Sequence, residues 1–179
     1  AAAITKDRSA SADALPLATL ACGAQINSDV RLANDLTCTG VALVVALHGG
    51  SGSGREFLWA WLREARGRRF LLLAPTAQGP TWSLIGPDVD GAMLRAMVAW
   101  VSERWRVKRS SVLLTGLSDG ATFALLTGLA EGAPFTALAP IAGVLHPGNS
   151  ANGNLARAVG KRVYLVHGAR DWMFPVETS

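Results

Sequence analysis

A chain of 179 residues, 50% of them hydrophobic and 17% charged, has the apolar content for one sizeable core, and this excludes a disordered or fibrous protein and argues against two complete domains. Its longest apolar run, Val41 to Leu47, is strand-sized, which excludes a membrane-spanning helix. The formal charge of +4 is scattered, with small basic groups only at Arg63 to Arg69 and Arg104 to Arg109, so a solvated surface is expected and no nucleic-acid partner.

Residues 1 to 40 are polar and weakly patterned and are treated as an atypical N-terminal segment. They carry neither an initiating Met nor a basic-then-apolar signal pattern, which leaves cytoplasmic and secreted placement both open. Cys22 and Cys38 are the only cysteines, and their spacing suits a disulfide as well as two buried thiols. Neither belongs to a CxxC or Cys/His cluster, so no metal site is expected.

Residues 41 to 179 alternate short apolar runs with amphipathic stretches, which predicts an α/β domain. The runs Val41–Leu47, Phe70–Ala74, Val112–Thr115, Ala137–Ala142 and Val163–Val166 read as parallel strands covered on both faces. Between them, Phe57, Leu58, Trp61, Leu62 and Ala65 share one helical face, as do Val89, Met93, Met97, Trp100, Val101 and Trp105. The prediction is a three-layer α/β/α sandwich with a mostly parallel sheet. In such sheets ligands bind beyond the carboxyl ends of the strands, so the loops after the apolar runs are where chemistry belongs.

After the first run comes Leu47-His48-Gly49-Gly50-Ser51-Gly52-Ser53-Gly54, a loop able to aim backbone N–H groups at an anion. A P-loop would continue with Lys and then Ser or Thr, where this chain has Arg55 and Glu56, and no GxGxxG register fits, so nucleotide binding is disfavoured. After the third run comes Gly116-Leu117-Ser118-Asp119-Gly120, between a strand and the helical run Thr122 to Leu129. A strand turning that sharply into a helix brings the residues two before and two after the serine together, which requires Gly116 and Gly120 and pushes Ser118 into the cleft. Ser118 is the candidate nucleophile, with a Gly-Ser helix cap as the plain alternative. The amides of Asp119 and Gly50 are the candidate oxyanion donors. After the last run, Asp171 is placed to orient a histidine, the alternative being a helix cap or a partner of Arg170.

The segments LHGGSGSG, PTAQGPTW, GLSDG and HGARDWMFP occur in the order and spacing of the α/β hydrolases, and residues 41 to 175 resemble their phospholipase/carboxylesterase and dienelactone-hydrolase-like branch. The resemblance implies a cofactor-independent serine esterase acting on small-molecule carboxylic esters, with Ser118 and Asp171 in the triad. Pro75 to Trp82 would line the pocket, with Trp82 touching substrate or lying as a lid over the core. The family histidine follows one more strand after the acid, whereas His48, His146 and His167 all precede Asp171. The expectation is therefore a domain incomplete at its C-terminus and impaired in turnover, or alternatively a non-catalytic hydrolase-fold binding module. The family also opens on an antiparallel strand pair, but the stretch from Ala21 to Cys38 faintly resembles the first turns of right-handed β-helix proteins.

Overall fold

The structure, a computed structural model, describes residues 3–4, 18–22 and 40–178, with side chains from residue 40 onward. Strand β1 (Ala3–Ile4) pairs antiparallel with β2 (Ala18–Cys22), and β2 pairs antiparallel with β4 (Leu71–Pro75). Strands β3 (Val41–Leu47), β5 (Val107–Leu117), β6 (Ala137–Ile141) and β7 (Arg162–Val163) complete a seven-stranded sheet in the order β1-β2-β4-β3-β5-β6-β7. From β4 to β7 every pairing is parallel. The N-terminal segment thus contributes two antiparallel strands to the sheet, an opening that Ala-rich Ala18-Thr19-Leu20-Ala21-Cys22, with little β propensity, did not announce. Residues 23–38, and with them any pairing of Cys22 with Cys38, lie outside the described residues.

Alternation along the strands divides the core in two. Leu43, Val45 and Leu47 of β3 and Leu71 and Leu73 of β4 face one side, while Val44, Ala46, Leu72 and Ala74 face the other. Helix α1 (Gly54–Arg68) covers the second face with Leu58, Leu62 and Ala65. Helices α2 (Val89–Arg104) and α3 (Asp119–Gly128) cover the first, through Met93, Met97 and Val101 and through Phe123, Ala124 and Leu125. The three layers of an α/β/α sandwich follow from this two-sided burial. Two short helices, α4 (Gly148–Ala151) and α5 (Asn154–Ala158), precede β7. β7 departs from expectation, since Val163, Tyr164, Leu165 and Val166 are exposed, although the Tyr164 and Val166 amides continue the pairing by donating to the Leu138 and Pro140 carbonyls. Among the described residues, an apolar run read as doubly covered is an edge.

Local signals set the helix limits. Ser53 caps α1 by accepting from the Glu56 amide, and Asp88 caps α2 by accepting from the Gly91 amide. Arg69 ends α1 in the left-handed region at φ 56°, where its N–H reaches the Ala65 carbonyl. A side chain there strains the backbone, so Arg69→Gly should stabilise the fold by about 1 kcal/mol, read as a higher denaturation midpoint at unchanged m-value.

β3 leads through α1 to β4 on one side, and α2 then carries the chain across to β5 on β3's other side. The order reverses at β3, which opens a crevice between the carboxyl ends of β3 and β5. The two glycine-rich loops meet there.

Candidate active site

Among the described residues four non-glycines have positive φ, and three of them, Ser51, Ser118 and Ala142, directly follow or lie just beyond the carboxyl ends of β3, β5 and β6. Such strain costs roughly 1–3 kcal/mol per residue and persists where the surroundings over-determine it, commonly at functional sites. Ser118 sits at φ 55° and ψ −120°, half-buried, between β5 and α3. A Cβ on Gly116 would lie 2.3 Å from the Gly120 carbonyl oxygen, and one on Gly120 would lie 2.4 Å from the His48 carbonyl oxygen. The bend is therefore as tight as the two glycines required, and it presses the elbow against the β3–α1 loop. Ser118 donates its own amide to the Ile141 carbonyl, tying the turn to the end of β6. Its hydroxyl has no hydrogen-bond partner among the described residues.

Gly50 lies beside the elbow, since a Cβ there would come within 2.6 Å of Asp119 Oδ2. That carboxylate accepts a 2.6 Å hydrogen bond from Thr81 Oγ1. The Ser51 amide donates to the Pro80 carbonyl at 2.8 Å. Together these contacts latch the Gly49–Ser51 turn, the elbow and the 80–82 loop to one another. Among the described residues the Gly50 and Asp119 amides donate to no acceptor, and Asp119 opens α3, where the helix dipole adds positive potential.

Of the two readings of Trp82, substrate contact and a lid over the core, its burial favours the second. It is 2% exposed, donates Nε1–H to the His48 carbonyl at 2.8 Å, and stacks on Phe123 with ring centroids 5.5 Å apart. The loop carrying it turns inward, where its indole N–H finds that carbonyl. His48 is fully engaged as well: Nε2 accepts from the Ala77 amide at 3.0 Å, which leaves Nδ1–H to donate to the Gly49 carbonyl at 2.6 Å.

Thr81, inside the PTAQGPTW segment, and Asp90, outside every motif, both organise the site. Asp90 is 1% exposed and accepts from the Gln78 amide and from the amide and hydroxyl of Ser83, at 2.8 to 2.9 Å. Its only sequence signal is an acid at the start of α2, which suggests a cap and conceals a loop anchor. Asp90→Ala strands three donors, and it should cost about 3 kcal/mol in chemical denaturation, with the 78–83 loop losing protection in hydrogen exchange.

Asp171 lies on the loop after β7, and the structure records no contact between it and Ser118. Its Oδ1 accepts from the Met173 and Phe174 amides at 3.0 Å, and its Oδ2 lies 3.4 Å from His167 Nε2, which also contacts the Phe174 carbonyl at 2.7 Å. The Phe174 amide holds the Asp171 carboxyl below its ordinary value against the opposing effect of burial, with further lowering from the Met173 amide and His167. A depressed carboxyl stabilises the loop above its unfolded value and loses that contribution as pH falls through the folded one. The Phe174 amide resonance should therefore report the titration of this carboxyl in acid below 3.8. Asp171→Asn, which keeps an acceptor oxygen, should abolish that titration and leave the loop folded.

His146 accepts the Gly148 amide at Nδ1, 3.0 Å away. None of the three histidines is hydrogen-bonded to Ser118 in the described structure.

No family profile matches the chain, and no curated protein sequence does either. Solved structures do. S-formylglutathione hydrolase from Staphylococcus aureus superposes with a TM-score of 0.65 at 15% identity, over 88% of this chain and 75% of that one. Acetyl xylan esterase from Aspergillus awamori gives 0.63 at 16% identity, over 80% and 68%. A phospholipase/carboxylesterase from Dyadobacter fermentans gives 0.58 at 21% identity, over 78% and 71%. Likeness at such identities is a likeness of architecture, and with the strand order and two-sided core described above it assigns this chain the α/β-hydrolase fold.

Proposed function

We propose that the chain is a serine-dependent carboxylic ester hydrolase working through an acyl-enzyme on Ser118. The observation that carries this reading is the strained Ser118 turn, with two amides beside it that have no other acceptor. The esterases among the structural neighbours support it. Ser118 Oγ attacks the ester carbonyl carbon as its proton passes to a base. The resulting oxyanion accepts from the Gly50 and Asp119 amides, a contribution of about 3 kcal/mol per well-placed donor. The carbon–oxygen bond to the alcohol breaks as the alcohol takes the proton, and water then releases the acid by the same sequence. Asp171 is assigned the part of orienting the imidazole that serves as base.

The described histidines are engaged with other groups, His48 with Ala77 and Gly49, His146 with Gly148, and His167 with the Phe174 carbonyl. Unassisted, Ser118 is a weak nucleophile, and losing the histidine of such a triad costs on the order of a millionfold in turnover. That engagement of the described histidines favours a second reading, a hydrolase-fold binding module. Hydrolysis of p-nitrophenyl acetate by the chain and by Ser118→Ala separates the two. A Ser118-dependent rate that rises with added imidazole supports the esterase, and identical rates throughout support the module.

A further inference from the structure

Between the Ser83–Asp88 loop, the flank of α3 and the α4–α5 segment lies a groove of about 440 Å³. That is within the range of roughly 300–1,000 Å³ usual for small-molecule sites. Phe123 and Leu126 supply apolar wall, and Thr127, His146 and Arg157 supply polar groups.

Two observations set this groove apart. The two buried side-chain polar atoms without a hydrogen-bond partner among the described residues, Thr127 Oγ1 and Asn149 Nδ2, both belong to it or to its immediate backing. Thr127 is 3% exposed and lines the groove, whereas Asn149 is fully buried behind it and holds the lining residue Asn154 through its Oδ1. Each such orphan costs about 1–3 kcal/mol, so one in the wall and one on a residue bonded to that wall call for a cause. The second observation is the tautomer of His146. Because Nδ1 accepts the Gly148 amide, the ring proton sits on Nε2, a donor in the groove lining.

The formal charges nearby already have partners. Arg157 bonds the Asn152 carbonyl and Asn154 Oδ1 and pairs with Glu131, and Asp88 caps α2 and lies 3.8 Å from Arg95. What the wall offers is uncharged: a threonine hydroxyl that a χ1 rotation exchanges with its methyl, an imidazole N–H, and the apolar side of the partly buried Leu126, backed by Phe123. We infer that this groove binds an uncharged polyhydroxylated ligand, a sugar ring or polyol, whose hydroxyls meet Thr127 and His146 while its C–H face lies on the apolar wall. The site does not depend on the chemistry assigned to Ser118.

The test is a titration of isotope-labelled protein with methyl β-D-xylopyranoside to tens of millimolar, followed by NMR on the intact chain and on Ser118→Ala. Shifts confined to Thr127, His146 and the Asn149 side-chain amide, equal in both proteins and unchanged by half-molar sodium chloride, are expected. Binding that persists in Ser118→Ala keeps this inference separate from the esterase reading. Thr127→Val keeps the shape and removes an unpaired hydroxyl, so it should melt no lower than the parent while binding the glycoside about fivefold more weakly, as loss of one hydrogen bond implies. Absence of localised shifts, with water alone satisfying the two orphans, overturns the inference. So do shifts produced by acetate or phosphate in place of the glycoside and abolished by salt, or unaltered affinity in Thr127→Val.

Discussion

Gly116→Ala is expected to destabilise the protein by 3 kcal/mol or more, about the cost of a severe core change, and in small-scale expression to leave little folded material. The added Cβ would meet the Gly120 carbonyl oxygen at 2.3 Å, its carbon at 2.4 Å and the Ala121 amide nitrogen at 2.8 Å. All three are backbone atoms of the first turn of α3, so no side chain can swing aside. Relief would require α3 to move off β5, yet Phe123, Ala124 and Leu125 pack in the same cluster as Leu114. A thermal melt within a few degrees of wild type would show that the bend is looser than described.

Gly50→Ala should behave differently, although the clash is nearly as close. Its Cβ would meet Asp119 Oδ2 at 2.6 Å, the far end of a side chain. Asp119 can turn away at the cost of its hydrogen bond to Thr81. The fold should survive with at most about 1 kcal/mol lost, as for one exposed hydrogen bond. The Ser118-dependent esterase rate in imidazole should fall by about 10²- to 10³-fold, the usual penalty for disturbing one oxyanion donor. An unchanged rate in a well-folded Gly50→Ala protein would remove Gly50 from the site. The two substitutions together distinguish a glycine needed by the fold from one needed by the proposed chemistry.

Where residues meet a partner close in sequence, their place could be read in advance. Val41–Leu47 is a strand with the predicted bounds because an unbroken apolar run has no stable alternative when both faces are covered. The elbow was legible for a similar reason, since sterics within five consecutive residues dictate it. β5 runs longer than its apolar stretch because Lys108, Arg109 and Ser110 continue the strand while exposed, so hydrophobicity marks only its buried half. The orientation of Trp82 was left open because a carbonyl 34 residues away decides it. The particular partner of Thr81 was illegible for the same kind of reason, Asp119 lying 38 residues on. β2 was hidden by its alanines, and the exposed face of β7 by an apolar composition that suits a covered strand. Local steric rules reach the backbone of the site, whereas the side chains that brace it are set by folding at long range.

The reading of Ser118 is tested most directly by treating the chain with a fluorophosphonate, with and without added imidazole, and locating the adduct by peptide mass spectrometry. The account predicts one adduct, on Ser118, formed slowly alone and faster with imidazole, and absent from Ser118→Ala. No adduct even with imidazole, or one on a different residue, would contradict it.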